Sequence, residues 1–126
     1  MSDLRAIDTR VFVYGTLRRG EKRHAALANA RFVGEGTVSG FVMYEPAGYP
    51  GIVEGDGIIV GEVYEVDAAT LRSLDHIEAV EEGLSRRECA MIELNDGRTL
   101  KCELYLYNRG VVGCTAVPSG DWLMRD

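Results

Sequence analysis

No apolar run in the 126-residue chain approaches the ~20 residues that a membrane-spanning helix needs. Positive charge is also scarce. Fourteen lysines and arginines stand against 20 aspartates and glutamates, a net charge of −6. The basic footprint that nucleic acid or an anionic membrane surface requires is therefore missing, and neither is expected as a partner. The acidic residues are scattered, which suits a solubilised surface better than a dedicated partner site. The opening segment MSDLRAIDTR is polar and lacks the apolar centre of a secretory leader, so a cytoplasmic location is expected. Cysteine is sparse: Cys89, Cys102 and Cys114 are odd in number and show no CxxC spacing, so each reads as a small buried hydrophobe. His24 and His76 stand in no metal-ligand spacing, and no metal is expected.

What is present is enough apolar sequence for one core. Hydrophobic residues make up 46% of the chain, and its length is that of one ordinary domain, here expected to span residues 1–126. A monomer is the default. Residues 10–15 are β-branched and aromatic and read as a buried strand. Residues 21–29, EKRHAALAN, are good helix formers. The run RFVGEGTVSGFVMY over 31–44 has strand composition broken by Gly34, Gly36 and Gly40, which predicts bulges or bends. PAGYPG at 46–51 is a turn, and GIIVGEVYEV at 57–66 is a further strand. Asp67 is placed to cap a helix over 68–78. Asn95-Asp96-Gly97 joins two strands, 86–94 and 98–107, as a hairpin. The tail VPSGDWLMRD reads as a loop with one tryptophan. Long helices between strands are missing, which argues against a doubly wound parallel sheet. The expected class is α+β: a small, curved, mostly antiparallel sheet or barrel with two short helices packed on it.

Two local features bear on chemistry. In VFVYGTLRRGEK, residues 11–22, Gly15 and Gly20 have the separation of a phosphate-binding loop, GxxxxGK[ST]. The lysine position holds Glu21 and the hydroxyl position holds Lys22. A carboxylate there repels phosphate oxygens, so a nucleotide is rejected. A strand that breaks at glycine still exposes successive backbone N–H groups, here those of Gly15, Thr16 and Leu17. Such a concavity holds a carboxylate or an oxyanion, and the plainer alternative is a simple strand-ending turn. In LRSLDHIEAVEEG, residues 71–83, Leu71, Leu74 and Ile77 share one helix face. Glu78 lies at i+4 from Leu74 and falls within that apolar stripe. A carboxyl facing the core has a raised pKa, which suits general acid–base work near neutrality. If the helix stops near Ile77, Glu78 instead caps a loop in water. Glu81 and Glu82 read as a solvated acidic loop.

Taken together, the chain resembles the gamma-glutamylcyclotransferase-like family. The resemblance runs in order from Tyr14-Gly15-Thr16-Leu17, Gly20 and His24 through Gly48-Tyr49-Pro50-Gly51 and Gly61-Glu62-Val63-Tyr64. It continues through Leu74-Asp75-His76-Ile77-Glu78 to Pro118-Ser119-Gly120-Asp121-Trp122. It implies a curved sheet or barrel enclosing a cavity, and release of 5-oxoproline from a γ-glutamyl compound. It also implies substrate binding by the backbone amides at Tyr14, Gly15, Thr16 and Leu17, with Glu78 as the acid–base residue. With that reaction the substrate's own α-amine is expected to be the nucleophile, so no cofactor is expected. The chain departs from the family pattern where Ala79 replaces a glycine behind Glu78. It departs again where Leu84-Ser85-Arg86-Arg87 occupies a tyrosine–arginine region, leaving Arg86 or Arg87 to keep the basic role, and where Arg23 stands in place of a frequent asparagine. The alternative function is a non-catalytic binder or sensor of a γ-glutamyl or amino-acid-like ligand in the same cavity.

Overall fold

A computed structural model describes residues 9–124. The reading of MSDLRAIDTR thus lies outside the described residues except for its last two. Six strands are formed: β1 (Thr9–Val13), β2 (Arg31–Glu45), β3 (Gly51–Val66), β4 (Ser85–Leu94), β5 (Thr99–Tyr107) and the two-residue β6 (Thr115–Ala116). One α-helix, α1 (Ala68–Ile77), follows β3. No helix among the described residues is long and apolar enough to cross a membrane.

Five strands close into a mixed barrel. Strand β1 pairs antiparallel with β3, which pairs with β2; β2 pairs with β4, and β4 with β5. The ring closes where β5 runs parallel to β1, with Val11 opposite Glu103. All other pairings are antiparallel, in keeping with the expected class, and β6 extends the far end of β2. The register shifts along β2 and β3 fall between Phe32 and Gly34 and between Ser39 and Phe41, which brackets Gly40 at φ +96°. Of the glycines read as bulges, Gly40 is the unpaired residue at the second shift, while the first leaves Val33 unpaired beside the paired Gly34.

Alternation along the strands sorts the side chains into two layers. From β1, Phe12 and the following Tyr14 pack with Ile52, Ile59, Leu104, Leu106 and Trp122 in the larger core. Val11 and Val13 point the other way and pack with Leu17, Leu27, Tyr64, Leu74 and Tyr105. Helix α1 covers that second layer through Leu74, with Leu71 and Ile77 partly buried beside it. Asp67 caps the helix as expected, accepting the Thr70 N–H at 2.8 Å.

The structure departs from the sequence reading in several places. The segment 21–29 is no α-helix. It forms a single 3₁₀ turn, His24–Leu27, flanked by i→i+3 turns such as Ala26 N–H to Arg23 O at 3.0 Å. Its only buried side chain is Leu27, so there is little apolar contact to hold a longer helix. The first strand stops at Val13 rather than residue 15, and the third begins at Gly51. Of the three cysteines, only Cys102 is buried; Cys89 is exposed and its thiol faces Glu103. Trp122 lies in the core, 1% exposed. The closing SGDW motif thus plugs the barrel. Gly120 at φ +69° sits hard against the Ile58 carbonyl, where any side chain would collide, and its own carbonyl accepts the Val60 N–H at 2.9 Å.

Candidate active site

The end of α1 aims the acid. The helix stops at Ile77, as in the plainer alternative, but Glu78 does not fall into water. Its N–H still bonds the Leu74 carbonyl at 2.9 Å, which makes it the C-cap. The next two donors turn back on the helix, Ala79 N–H to His76 O at 3.1 Å and Val80 N–H to Asp75 O at 3.0 Å. This 5→2 and 6→1 pair is a Schellman motif, whose following residue sits in the left-handed region, here Ala79 at φ +56°. The reversal holds Glu78 at the brink of a cavity. An L-residue is strained in that conformation, so Ala79→Gly is expected to raise stability by about 1 kcal/mol in urea or thermal melts. No gain would show that the reversal is not strained.

The loop after β1 forms a second part of the cavity wall. Tyr14 donates its hydroxyl to the Tyr105 carbonyl at 2.6 Å. The next three carbonyls are all occupied: Gly15 O by the Arg18 N–H at 3.0 Å, Thr16 O by the Arg23 N–H at 2.8 Å, and Leu17 O by His24 Nδ1 at 2.9 Å. Among the described residues, none accepts from the Gly15, Thr16 or Leu17 N–H. A loop with its acceptors used and its donors open suits an anion. His24 is therefore a clamp on this loop.

Two anchors fix the loop's position. A Cβ on Gly15 would overlap the Pro50 ring, so glycine is needed for the loop to lie against the GYPG turn. Gly15→Ala is expected to cost about 1–3 kcal/mol by overpacking. Removing the ring in Gly15→Ala/Pro50→Ala should recover part of that loss, a coupling that a double-mutant cycle reads directly. Additive losses would mean that the two residues do not meet. Behind the loop, Arg18 is 5% exposed and reaches Glu62 at 3.0 Å and Asp121 at 2.9 Å. Glu62, 2% exposed, also accepts the Arg19 N–H at 3.0 Å and the Tyr64 hydroxyl at 2.9 Å.

Between these walls lies a cavity of about 100 Å³, lined by residues 12–17, Tyr49-Pro50-Gly51, Ile77, Glu78, Leu84, Ser85, Tyr105, Tyr107 and Arg23. At about 10–15 Å³ per water position, it holds several waters or a small polar group. All five sequence-predicted site residues, Tyr14, Gly15, Thr16, Leu17 and Glu78, border it. Burial pushes the Glu78 carboxyl up to about 7, partly offset by the Arg23 charge. Glu78 keeps some accessible surface because it faces the cavity. Burial, and next the Glu78 charge, raise Tyr14 well above the ordinary phenol range. Burial likewise raises Tyr49, with Tyr107 and Glu78 adding to it. Glu78 thus stands at the cavity beside two phenols, Tyr14 and Tyr49, that burial holds protonated.

Residues 11–124 match the family described as Gamma-glutamyl cyclotransferase, AIG2-like. The chain belongs to that family. The Escherichia coli K12 protein YtfP, named a gamma-glutamylcyclotransferase family protein, is 36% identical over 117 residues, covering 93% of this chain and 98% of its own. The solution structure of Escherichia coli ytfP superposes with a TM-score of 0.71 over 92% of this chain and 97% of its own, at 35% identity. The crystal structure of an AIG2-like protein from Mus musculus gives a TM-score of 0.74 at 26% identity, covering 94% of this chain and 84% of its own.

Within this cyclotransferase family chain, the departures noted in the sequence resolve differently from expectation. Neither Arg86 nor Arg87 lines the cavity. Arg87 is held by Asp75 at 2.7 Å and Glu103 at 3.1 Å, and Arg86 by Glu88 at 2.7 Å. Asp75 also accepts the Tyr105 hydroxyl at 2.6 Å, so this cluster staples α1 to β4 and β5. The cation at the cavity is Arg23. Leu84 and Ser85 stand at the wall in the region of the expected tyrosine, while Tyr49, Tyr105 and Tyr107 supply phenol rings from elsewhere. The LYLY alternation at the end of β5 was the available signal for the last two, since it separates Leu104 and Leu106 from Tyr105 and Tyr107.

Proposed function

We propose that the protein is a cyclotransferase that releases 5-oxoproline from a γ-glutamyl amide or peptide, with Glu78 as the proton carrier. The observation that carries this reading is that the Glu78 carboxyl, pushed up to about 7 by burial, borders the same cavity as a loop of open N–H donors. Glu78 as carboxylate takes a proton from the substrate's α-ammonium. The freed amine attacks its own γ-carbonyl, the new C–N bond closes the five-membered ring, and the bond to the leaving nitrogen breaks. In all, two protons leave the α-nitrogen and reach the leaving nitrogen, so Glu78 ends as it began. The open donors at Gly15, Thr16 and Leu17 hold either the developing oxyanion or the α-carboxylate. The nucleophile is intramolecular, so a cavity that folds the substrate contributes much of the rate; correct orientation is worth ~7–11 kcal/mol in favourable cases.

The test is 5-oxoproline release from a panel of γ-glutamyl amides and dipeptides, with Glu78→Gln beside the wild type. Turnover that collapses in the variant supports the reading. Tight binding of the same compounds without release by either protein would favour the binder or sensor instead.

A further inference from the structure

We propose that Arg23 selects substrates whose leaving amine carries a carboxylate, so that γ-glutamyl amino acids and peptides are preferred over γ-glutamyl amines. The inference rests on the cyclotransferase reading and names its substrate class. Among the described residues lining the cavity, Arg23 is the one cation and Glu78 the one anion. Arg23 is exposed; its guanidinium makes no hydrogen bond or ion pair among the described residues, and its charge acts on Glu78. The neighbouring cations behave differently. Arg18 is locked to Glu62 and Asp121, Arg19 reaches Glu35 at 2.9 Å, and Arg109 donates to the Glu82 and Gly83 carbonyls at 3.2 and 3.4 Å. The Arg23 backbone is fixed by its bond to Thr16 O, so its side chain starts from the donor loop.

The cavity therefore has two anion-seeking features at different depths. The open N–H donors of Gly15, Thr16 and Leu17 belong to buried residues, while the Arg23 side chain is exposed. The γ-glutamyl half must enter far enough for its α-ammonium and its scissile nitrogen to reach Glu78, while the buried donors hold its developing oxyanion or its α-carboxylate. The leaving amine then projects outward, past Arg23. A carboxylate there gains a charged, forked partner, and a neutral or cationic amine does not.

The experiment compares γ-glutamyl-L-alanine with γ-glutamyl-L-alaninamide, a carboxylate against a carboxamide on the leaving amine, at pH 8.5, above the value of about 7 to which burial pushes Glu78. Wild type is expected to favour the carboxylate about three- to tenfold in kcat/KM. Arg23→Gln should bring the ratio near one, mainly through KM, and Arg23→Lys should restore part of it. An unchanged ratio in Arg23→Gln overturns the proposal. Calorimetry on Glu78→Gln and Glu78→Gln/Arg23→Gln with the same two compounds separates this from failure of the underlying reading. If wild type releases 5-oxoproline from neither compound, the cyclotransferase reading fails. A carboxylate preference in binding that the second substitution abolishes would still assign Arg23, and equal binding of both compounds would refute it.

Discussion

Glu78→Gln is expected to lower kcat/KM for 5-oxoproline release by about 10²–10⁴-fold, the usual contribution of a positioned acid–base group. The substitution keeps shape and removes the titrating proton. The wild-type pH profile should rise with an acid limb near pH 7, where burial places the carboxyl, because the reaction begins with the carboxylate. The variant should lose that limb along with its rate. A residual rate within about threefold of wild type would remove Glu78 from the chemistry.

The same substitution should stabilise the protein. Unfolded, Glu78 titrates near 4.5, and folded, near 7. Between those values the folded chain holds a proton that the unfolded chain has lost, so this group's contribution to stability falls as pH rises through that window. Above pH 7 the wild type carries the full cost of an ionised carboxyl in a poor solvent. At 1.36 kcal/mol per pKa unit, and allowing for the surface that Glu78 keeps, Glu78→Gln should gain about 1–3 kcal/mol at pH 8 and little at pH 4. Chemical melts at the two pH values check this. A variant that loses both activity and stability at pH 8 would mean that Glu78 is a structural residue.

Glu62→Ala is expected to be the most damaging single change to the fold. Glu62 accepts from Arg18, the Arg19 N–H and Tyr64 while 2% exposed, and Arg18 is 5% exposed. Removing it leaves a buried guanidinium with Asp121 as its remaining carboxylate. Breaking a buried pair in this way costs about 3–5 kcal/mol. That is a large share of the roughly 5–15 kcal/mol that holds a domain together, and the melting temperature should fall by on the order of 10–20 °C. Replacing the network as a unit, Arg18→Met with Glu62→Leu and Asp121→Asn, should cost less than Glu62→Ala alone, because no charge is left unpaired. A melting temperature within about 2 °C of wild type for Glu62→Ala would show that water or a rearranged Arg18 compensates.

This network also shows where sequence reasoning runs short. Arg18, Glu62 and Asp121 are 44 and 59 residues apart in steps along the chain, and no local pattern marks them as partners. Each looks like a surface charge beside a recognisable motif. They meet only because β3 lies against β1 and the tail folds over the barrel end. Helix α1 is the opposite case. Its cap at Asp67 and its apolar face are local, and the structure keeps them, although the helix stops at Ile77 and Glu78 follows as its C-cap. The hairpin at Asn95-Asp96-Gly97 and the bulge at Gly40 are local in the same sense.

By itself, then, the sequence determined most of each long strand, the hairpin at Asn95-Asp96-Gly97, the capped helix leading to Glu78, and the strand break before Gly15. These depend on contacts within a few residues, on period-two and period-3.6 patterning, and on backbone conformations that particular residues favour. The tertiary structure alone decided that β1 and β5 run parallel and close the barrel, since parallel pairing joins residues about 90 positions apart in sequence with no turn to announce it. It alone decided that Arg23, rather than Arg86 or Arg87, stands at the cavity, because a cation's role depends on which carboxylates reach it first. Arg87 is claimed by Asp75 and Glu103 and Arg86 by Glu88, whereas Arg23, with no ion pair among the described residues, lines the cavity beside Glu78.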